Sequence, residues 1–259
     1  MEILRWQAGN ELKNYQYIIC DDERNAVLID PLDSTEIQRL VAQQNLSVKA
    51  ILISHEHDDH AALAGPLQKV FSTKVISSQQ NVGRIAAQLT TVANGEVLSF
   101  GGLNVRAIET PGHTAGHIAF EIGGFLFTAD CLFHGGCGHC RSAGANIEEH
   151  YRTLHERLAR LRPDLVLMPG HYYARRNLDF SLHVEPDNGR ARALRARLTT
   201  DSDEMAHQTT LKQEREYNPF LRLSRRNLRA RISELTGRNL SEASDFAVFR
   251  ELRALRDTY

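Results

Sequence analysis

The sequence predicts a mixed α/β domain followed by an all-helical unit. Three observations carry this expectation. Up to about residue 170, apolar residues come in short Val-, Ile- and Phe-rich runs bounded by Gly, Pro, Asn and Asp. Helical spacing of apolar residues fills several of the gaps between those runs. After His171 the chain changes to long, Arg-rich segments with few strand signals. With 259 residues, 42% hydrophobic and 24% charged, the composition is that of a globular protein able to bury a large core, which argues against disorder.

Taken in order, strands are expected at 17–20, 26–29, 49–53, 74–76, 105–108, 118–122, 125–128 and 165–168, with helices at 35–44, 60–70, 81–89 and 148–161. Helical periodicity returns at 189–198, 225–235 and 241–256, and Asn218-Pro219-Phe220 reads as a connector. The expected division is 1–174 and 175–259. Residues 1–174 hold 14 basic and 19 acidic side chains and residues 175–259 hold 17 and 13, so the formal charge of −1 conceals a basic C-terminal third. A solvated helical surface accounts for it most plainly. The chain opens on Met1-Glu2-Ile3-Leu4-Arg5 without a basic flank and apolar h-region, and no run approaches the ~18 apolar residues of a membrane span. Cys20, Cys131, Cys137 and Cys140 are too few and too uneven for a disulfide framework. A cytoplasmic protein acting without membrane or nucleic acid is expected.

Four expected strands end in a loop bearing histidine or aspartate. Strand 49–53 runs into Ser54-His55-Glu56-His57-Asp58-Asp59-His60, strand 105–108 into Thr110-Pro111-Gly112-His113, strand 125–128 into Asp130, and strand 165–168 into Pro169-Gly170-His171. Strand ends of α/β sheets are where ligands bind, and imidazole with carboxylate suits zinc, iron or manganese. Five histidines and two aspartates are enough for two divalent ions. His117, His134, His150, His155, His183 and His207 read as surface or core histidines.

Read together, His55-x-His57-x-Asp59-His60, His113, Asp130 and His171 resemble the metallo-β-lactamase fold superfamily, a four-layer αββα sandwich with a binuclear metal site. The resemblance implies that His55, His57 and His113 hold one ion, that Asp59, His60 and His171 hold the other, and that Asp130 bridges them. Ser54 stands where Thr is commoner. Further stretches are similar to the glyoxalase II (hydroxyacylglutathione hydrolase) family: Phe133-x-x-Gly136-Cys137-Gly138, Gly170-His171-x-Tyr173, His183-Val184-Glu185-Pro186-x-Asn188, Asn218-Pro219-Phe220-Leu221-Arg222 and Leu252-Arg253-x-x-Arg256-Asp257-x-Tyr259.

That resemblance implies hydrolysis of an S-(2-hydroxyacyl)glutathione by attack of a metal-bridging hydroxide on the thioester, in a monomer. Zinc comes first as the metal, with iron or manganese also suited. Asp59 and Asp130 would serve the chemistry, and His139, Arg141, Tyr173, Arg253 and Arg256 would contact glutathione. Three positions depart from the family pattern: His139 replaces Lys or Arg, Arg141 stands where an aromatic residue is frequent, and Tyr172 replaces Glu. The alternatives are a persulfide dioxygenase-like iron enzyme or a hydrolase of another thioester. Cys137-Gly138-His139-Cys140 also spells a Cys-x-x-Cys motif, but it follows a glycine pair and not the strand-to-helix junction that redox motifs use.

Overall fold

Runs such as Tyr17-Ile18-Ile19-Cys20 are apolar on both faces, which fits strands covered on both sides. The computed structural model describes the backbone of residues 1–259 and every side chain except that of Met205. One sheet has the order β1 (Glu2–Gln7), β2 (Tyr15–Cys20), β3 (Asn25–Ile29), β4 (Ser47–Leu52), β5 (Lys74–Ser78), β6 (Leu89–Val92). Its first three strands pair antiparallel and β3 to β6 pair parallel. The second sheet contains β7 (Val97–Phe100), β8 (Leu103–Glu109), β9 (Ile118–Ile122) and β10 (Phe125–Ala129). A small hairpin, β11 (Leu132–Phe133) and β12 (Gly136–Cys137), follows, and β13 (Val166–Pro169) returns parallel to β10 at the sheet edge.

Side-chain alternation then sorts the core into layers. Tyr17, Ile19, Val27 and Leu52 of the first sheet meet Val105, Phe120, Phe127 and Met168 of the second. On the other face of the first sheet, Ile18, Leu28 and Ile51 pack on Ile37 of α1 (Ser34–Gln43) and Leu67, which lies beyond the short α2 (Asp58–Ala61) in α3 (Ala64–Phe71). The outer face of the second sheet, with Leu126, Leu165 and Leu167, is covered by α4 (Ile147–Arg152) and its continuation, and by the C-terminal helices. The helices of this region are α5 (Ala174–Val184), α6 (Gly189–Arg197), α7 (Asp201–Ala206), α8 (Leu211–Tyr217), α9 (Arg226–Thr236) and α10 (Asp245–Thr258); α5, α8, α9 and α10 join that apolar cluster, and α6 packs on α5. The result is a four-layer αββα sandwich. No described helix is long and apolar enough to cross a membrane.

The expected helix at 81–89 does not form. Asn81 donates to Ser77 Oγ and the Gly116 carbonyl, Gly83 takes φ +79°, and the chain turns into β6 at Leu89. Helix 60–70 is two pieces, α2 and α3. The stretch 148–161 is α-helical only to Arg152, then widens into a π turn at Thr153–Arg157 and tightens at Leu158–Arg160. β1, β6, β7, β11, β12, α5, α7 and α8 were not expected. The last two begin at capping boxes, Thr200 with Asp203 and Thr210 with Gln213.

Candidate metal centre

The predicted strand-end residues converge on one rim. The ends of β4, β8, β10 and β13 deliver the His55–His60 segment, His113, Asp130 and His171. Close approach requires glycine: a Cβ on Gly170 would lie 2.7 Å from Asp130 Oδ1 and 2.9 Å from the His60 ring. Side-chain donors of His55, His57 and His113 lie within 4.8 Å of one another, as do those of Asp59, His60 and His171. Asp130 sits between the two groups, with Oδ1 3.3 Å from His60 Nε2 and 3.1 Å from His171 Nε2, and Oδ2 3.6 Å from His113 Nε2.

The outer hydrogen bonds decide which imidazole nitrogens carry protons. His113 Nδ1 lies 2.7 Å from the His139 carbonyl and His171 Nδ1 2.7 Å from the Leu12 carbonyl; a carbonyl only accepts, so each Nδ1 donates. His60 Nδ1 donates to Asp30 Oδ2 at 2.9 Å. Ser54 gives its hydroxyl proton to the same carboxylate oxygen at 2.6 Å, so Ser54 Oγ accepts from His55 Nδ1 at 2.9 Å. In the neutral rings that metal binding requires, the Nε2 atoms of His55, His60, His113 and His171 are therefore lone pairs. Yet His60 Nε2 faces His171 Nε2 at 3.2 Å, and His57 Nδ1 faces the Nε2 atoms of His55 and His113 at 3.0 and 3.1 Å.

Lone pairs and two carboxylates pointed at one another call for positive charge between them, and divalent cations fit this donor set. The electrostatics agree. Burial opposes charge on His60, but Asp130 and Asp30 push its pKa well above the ordinary value. Burial likewise opposes ionisation of Asp130, but His171 and His60 hold its carboxyl well below the usual range. His113, with burial dominant, is lowered to about 4 and stays neutral, as a ligand must.

A cavity of about 370 Å³ opens from this cluster, and all five predicted substrate residues line it. Tyr173 stacks on the His171 ring, centroids 4.9 Å apart and 4° from parallel. His139 is half-buried against His113, and burial and then Arg141 depress its pKa, so it brings no cation. Arg141 is exposed at the mouth. Arg253 and Arg256 differ. Arg253 is buried and donates to the Cys137 carbonyl at 3.0 Å and the Gly138 carbonyl at 3.4 Å while pairing with Asp257 at 2.9 Å. Arg256 is partly exposed and donates to Asn177 Oδ1 at 3.2 Å.

Residues 9–171 match the metallo-beta-lactamase superfamily and residues 172–259 match the hydroxyacylglutathione hydrolase C-terminus. The chain is 34% identical to the hydroxyacylglutathione hydrolase of Polaromonas sp. strain JS666 over 100% of both chains, and 31% identical to that of Nitrosococcus oceani over 98% of both. This chain belongs to the hydroxyacylglutathione hydrolase family. Among solved structures, ETHE1 from Myxococcus xanthus superposes with TM-score 0.69 at 23% identity, over 100% of this chain and 99% of that one. The di-iron-bound form of TTHA1623 superposes with TM-score 0.63 at 24% identity, over 84% and 100%. At such identities these two share the fold.

In this member of the hydroxyacylglutathione hydrolase family, several residues around the centre were not expected from the sequence. Asp30 accepts from Ser54 N at 2.8 Å as well as from Ser54 Oγ and His60 Nδ1, so one carboxylate orients an imidazole of each triad. It ends strand β3, and that strand-end position was the available signal. Asn14 donates to Asp59 Oδ2 at 3.0 Å and to the Asp59 carbonyl at 3.1 Å. Nothing in its local sequence marks it. His117 stacks on His55 at 5.0 Å with Thr110 Oγ1 2.8 Å from its Nδ1, outside the metal-binding groups.

Proposed function

We propose that this chain hydrolyses the thioester of an S-(2-hydroxyacyl)glutathione such as lactoylglutathione, releasing glutathione and the 2-hydroxy acid. The supporting observation is a single cavity with paired metal-binding triads at its floor and arginines on its wall, in a chain whose C-terminal residues match that family's own C-terminal model. In this reading His55, His57 and His113 hold one divalent ion and Asp59, His60 and His171 the other, with Asp130 shared. Zinc comes first, and iron or manganese suit the same donors. Bound there, the two ions supply an acidified water and a Lewis acid for the thioester carbonyl oxygen.

The protein's side chains do the rest. Asp130, anionic throughout the working pH range, fixes the spacing of the two triads. Burial, then Asp130 and Asp59, push the Tyr173 hydroxyl up to about 12, so it remains a hydrogen-bond donor beside the reacting centre. Arg141 and Arg256 take the carboxylates of the tripeptide, as guanidinium forks do. The leaving thiolate is stable enough to depart without a dedicated acid. Arg253 supports the wall on which Arg256 stands. The basic 175–259 segment is the glutathione-binding unit, and the protein works as a cytoplasmic monomer on a small molecule, with its four thiols reduced.

The test is steady-state hydrolysis of lactoylglutathione by protein carrying two equivalents of zinc, iron or manganese. Chelation should abolish turnover and restored metal should return it. Asp130→Ala should lower kcat by about 100- to 1,000-fold, the scale of losing one preorganised electrostatic group. Protein that holds two ions and leaves the thioester intact would overturn the assignment.

A further inference from the structure

The β11–β12 hairpin lies between the metal centre and the helical region. Leading into it is Asp130. Leading out of it is Gly138, whose Cβ, if it had one, would lie 2.1 Å from the Asp130 carbonyl oxygen and 2.9 Å from His113 Nδ1. The next residue, His139, supplies the carbonyl that holds the His113 ring. Wherever the hairpin sits, Asp130 and His113 follow.

Its backbone is held almost wholly by side chains of the helical region. Asn218 Nδ2 donates to the carbonyls of Phe133 and Gly136, Asn177 Nδ2 to that of His134, Ser181 Oγ to that of Gly135, and Arg253 to those of Cys137 and Gly138. Every carbonyl from 133 to 138 is thereby taken. The hairpin's tip presents donors instead. Glu214 of α8 accepts from Gly135 N–H at 2.9 Å through Oε2 and from His134 Nδ1 at 3.1 Å through Oε1.

Glu214 is fully buried, and a buried carboxylate is costly unless donors surround it. Here they do. Thr209 Oγ1 at 2.5 Å and the Tyr217 hydroxyl complete the ring. Burial acts to raise its pKa, but His134, Thr209 and Tyr217 hold it below the ordinary value. This residue touches no metal-binding group and no cavity wall.

We propose that Glu214 is a positioning residue for the metal centre: it fixes the hairpin tip from the helical region, and the hairpin in turn fixes the His113 ring and the Asp130 carboxylate. The inference rests on the reading that the centre holds two ions. Glu214→Gln keeps the volume but places an amide N–H against one of two sets of donors. Tyr217→Phe is the control, because it removes one bond to Glu214 and none to the hairpin.

The experiment measures chelator-driven zinc release from the holoproteins, the visible spectrum of cobalt-substituted samples, and the thermal midpoint. For Glu214→Gln, release of the more labile ion should be about 10-fold faster, the lower end for outer-shell ligand support, with an altered cobalt spectrum. Its kcat for lactoylglutathione should fall while KM holds. Tyr217→Phe should lower the midpoint yet keep wild-type release and spectrum. Wild-type release from Glu214→Gln, or equal acceleration in both variants, overturns the inference while leaving the metal reading intact. A wild-type protein that binds no ions overturns both.

Discussion

Each imidazole of the metal centre is aimed by whatever holds its far nitrogen, and Asp30 holds two of them, His60 directly and His55 through Ser54. Asp30→Ala should therefore free one ring in each triad and weaken zinc binding by 10- to 100-fold, the usual scale for lost outer-shell partners. Ser54→Ala releases only the His55 arm and should lose less. Competition with a metal-binding dye would measure both, and equal retention in Asp30→Ala and wild type would refute the argument. The seven metal-binding candidates were legible in the sequence because packing alone seldom sets histidine and aspartate at four strand ends of one domain. Asp30 was not singled out, since one acid after a strand also reads as a turn residue. Arg253 was recognised as basic, but its acceptors are backbone carbonyls, which carry no sequence signal. Its guanidinium lines the cavity and at the same time holds those carbonyls and Asp257.

Among the elements, α10 shows how three residues of separation divide labour on one helix. Arg253 anchors the hairpin exit and Arg256 reaches the cavity. Arg253→Ala leaves two loop carbonyls without their donor and Asp257 without its cation, a loss of about 2–4 kcal/mol by the scale of buried unsatisfied groups and broken buried pairs. Lysine should not rescue it, because one ammonium cannot reproduce the fork that spans both carbonyls and the carboxylate. Arg256→Ala should leave urea unfolding unchanged and raise KM for lactoylglutathione about 10-fold, the loss of one charge-assisted contact. Buried strands and long periodic helices were legible because burial leaves continuous or 3.6-residue apolar patterns. The 81–89 segment carried a helical pattern but turns instead, since Ile85 is drawn into the first sheet's outer core while Asn81 is held by Ser77 and Gly116. β1 is half-buried along its length and lacks the alternation that would have marked it.

Across the whole molecule the helical region covers the second sheet: Phe180, Val184, Phe220, Phe249 and Leu252 share a cluster with Leu126, Leu165 and Leu167. A chain ending at His171 would expose that face and should give a dye-binding, non-cooperative state, whereas the full chain should unfold in one transition. Acid sensitivity follows from the same packing. His150 lies against Phe249 of α10, and His207 against His134. Burial lowers both pKa values to about 3. Between that value and the unfolded 6.5 the unfolded chain binds more protons than the folded one, so stability falls as pH drops through this window. Each histidine contributes a slope of up to about 1.4 kcal/mol per pH unit. His207→Gln should remove up to one such increment from the slope of urea-unfolding free energy between pH 6.5 and 4.5. An unchanged slope in that variant would show that His207 takes up its proton in the folded protein.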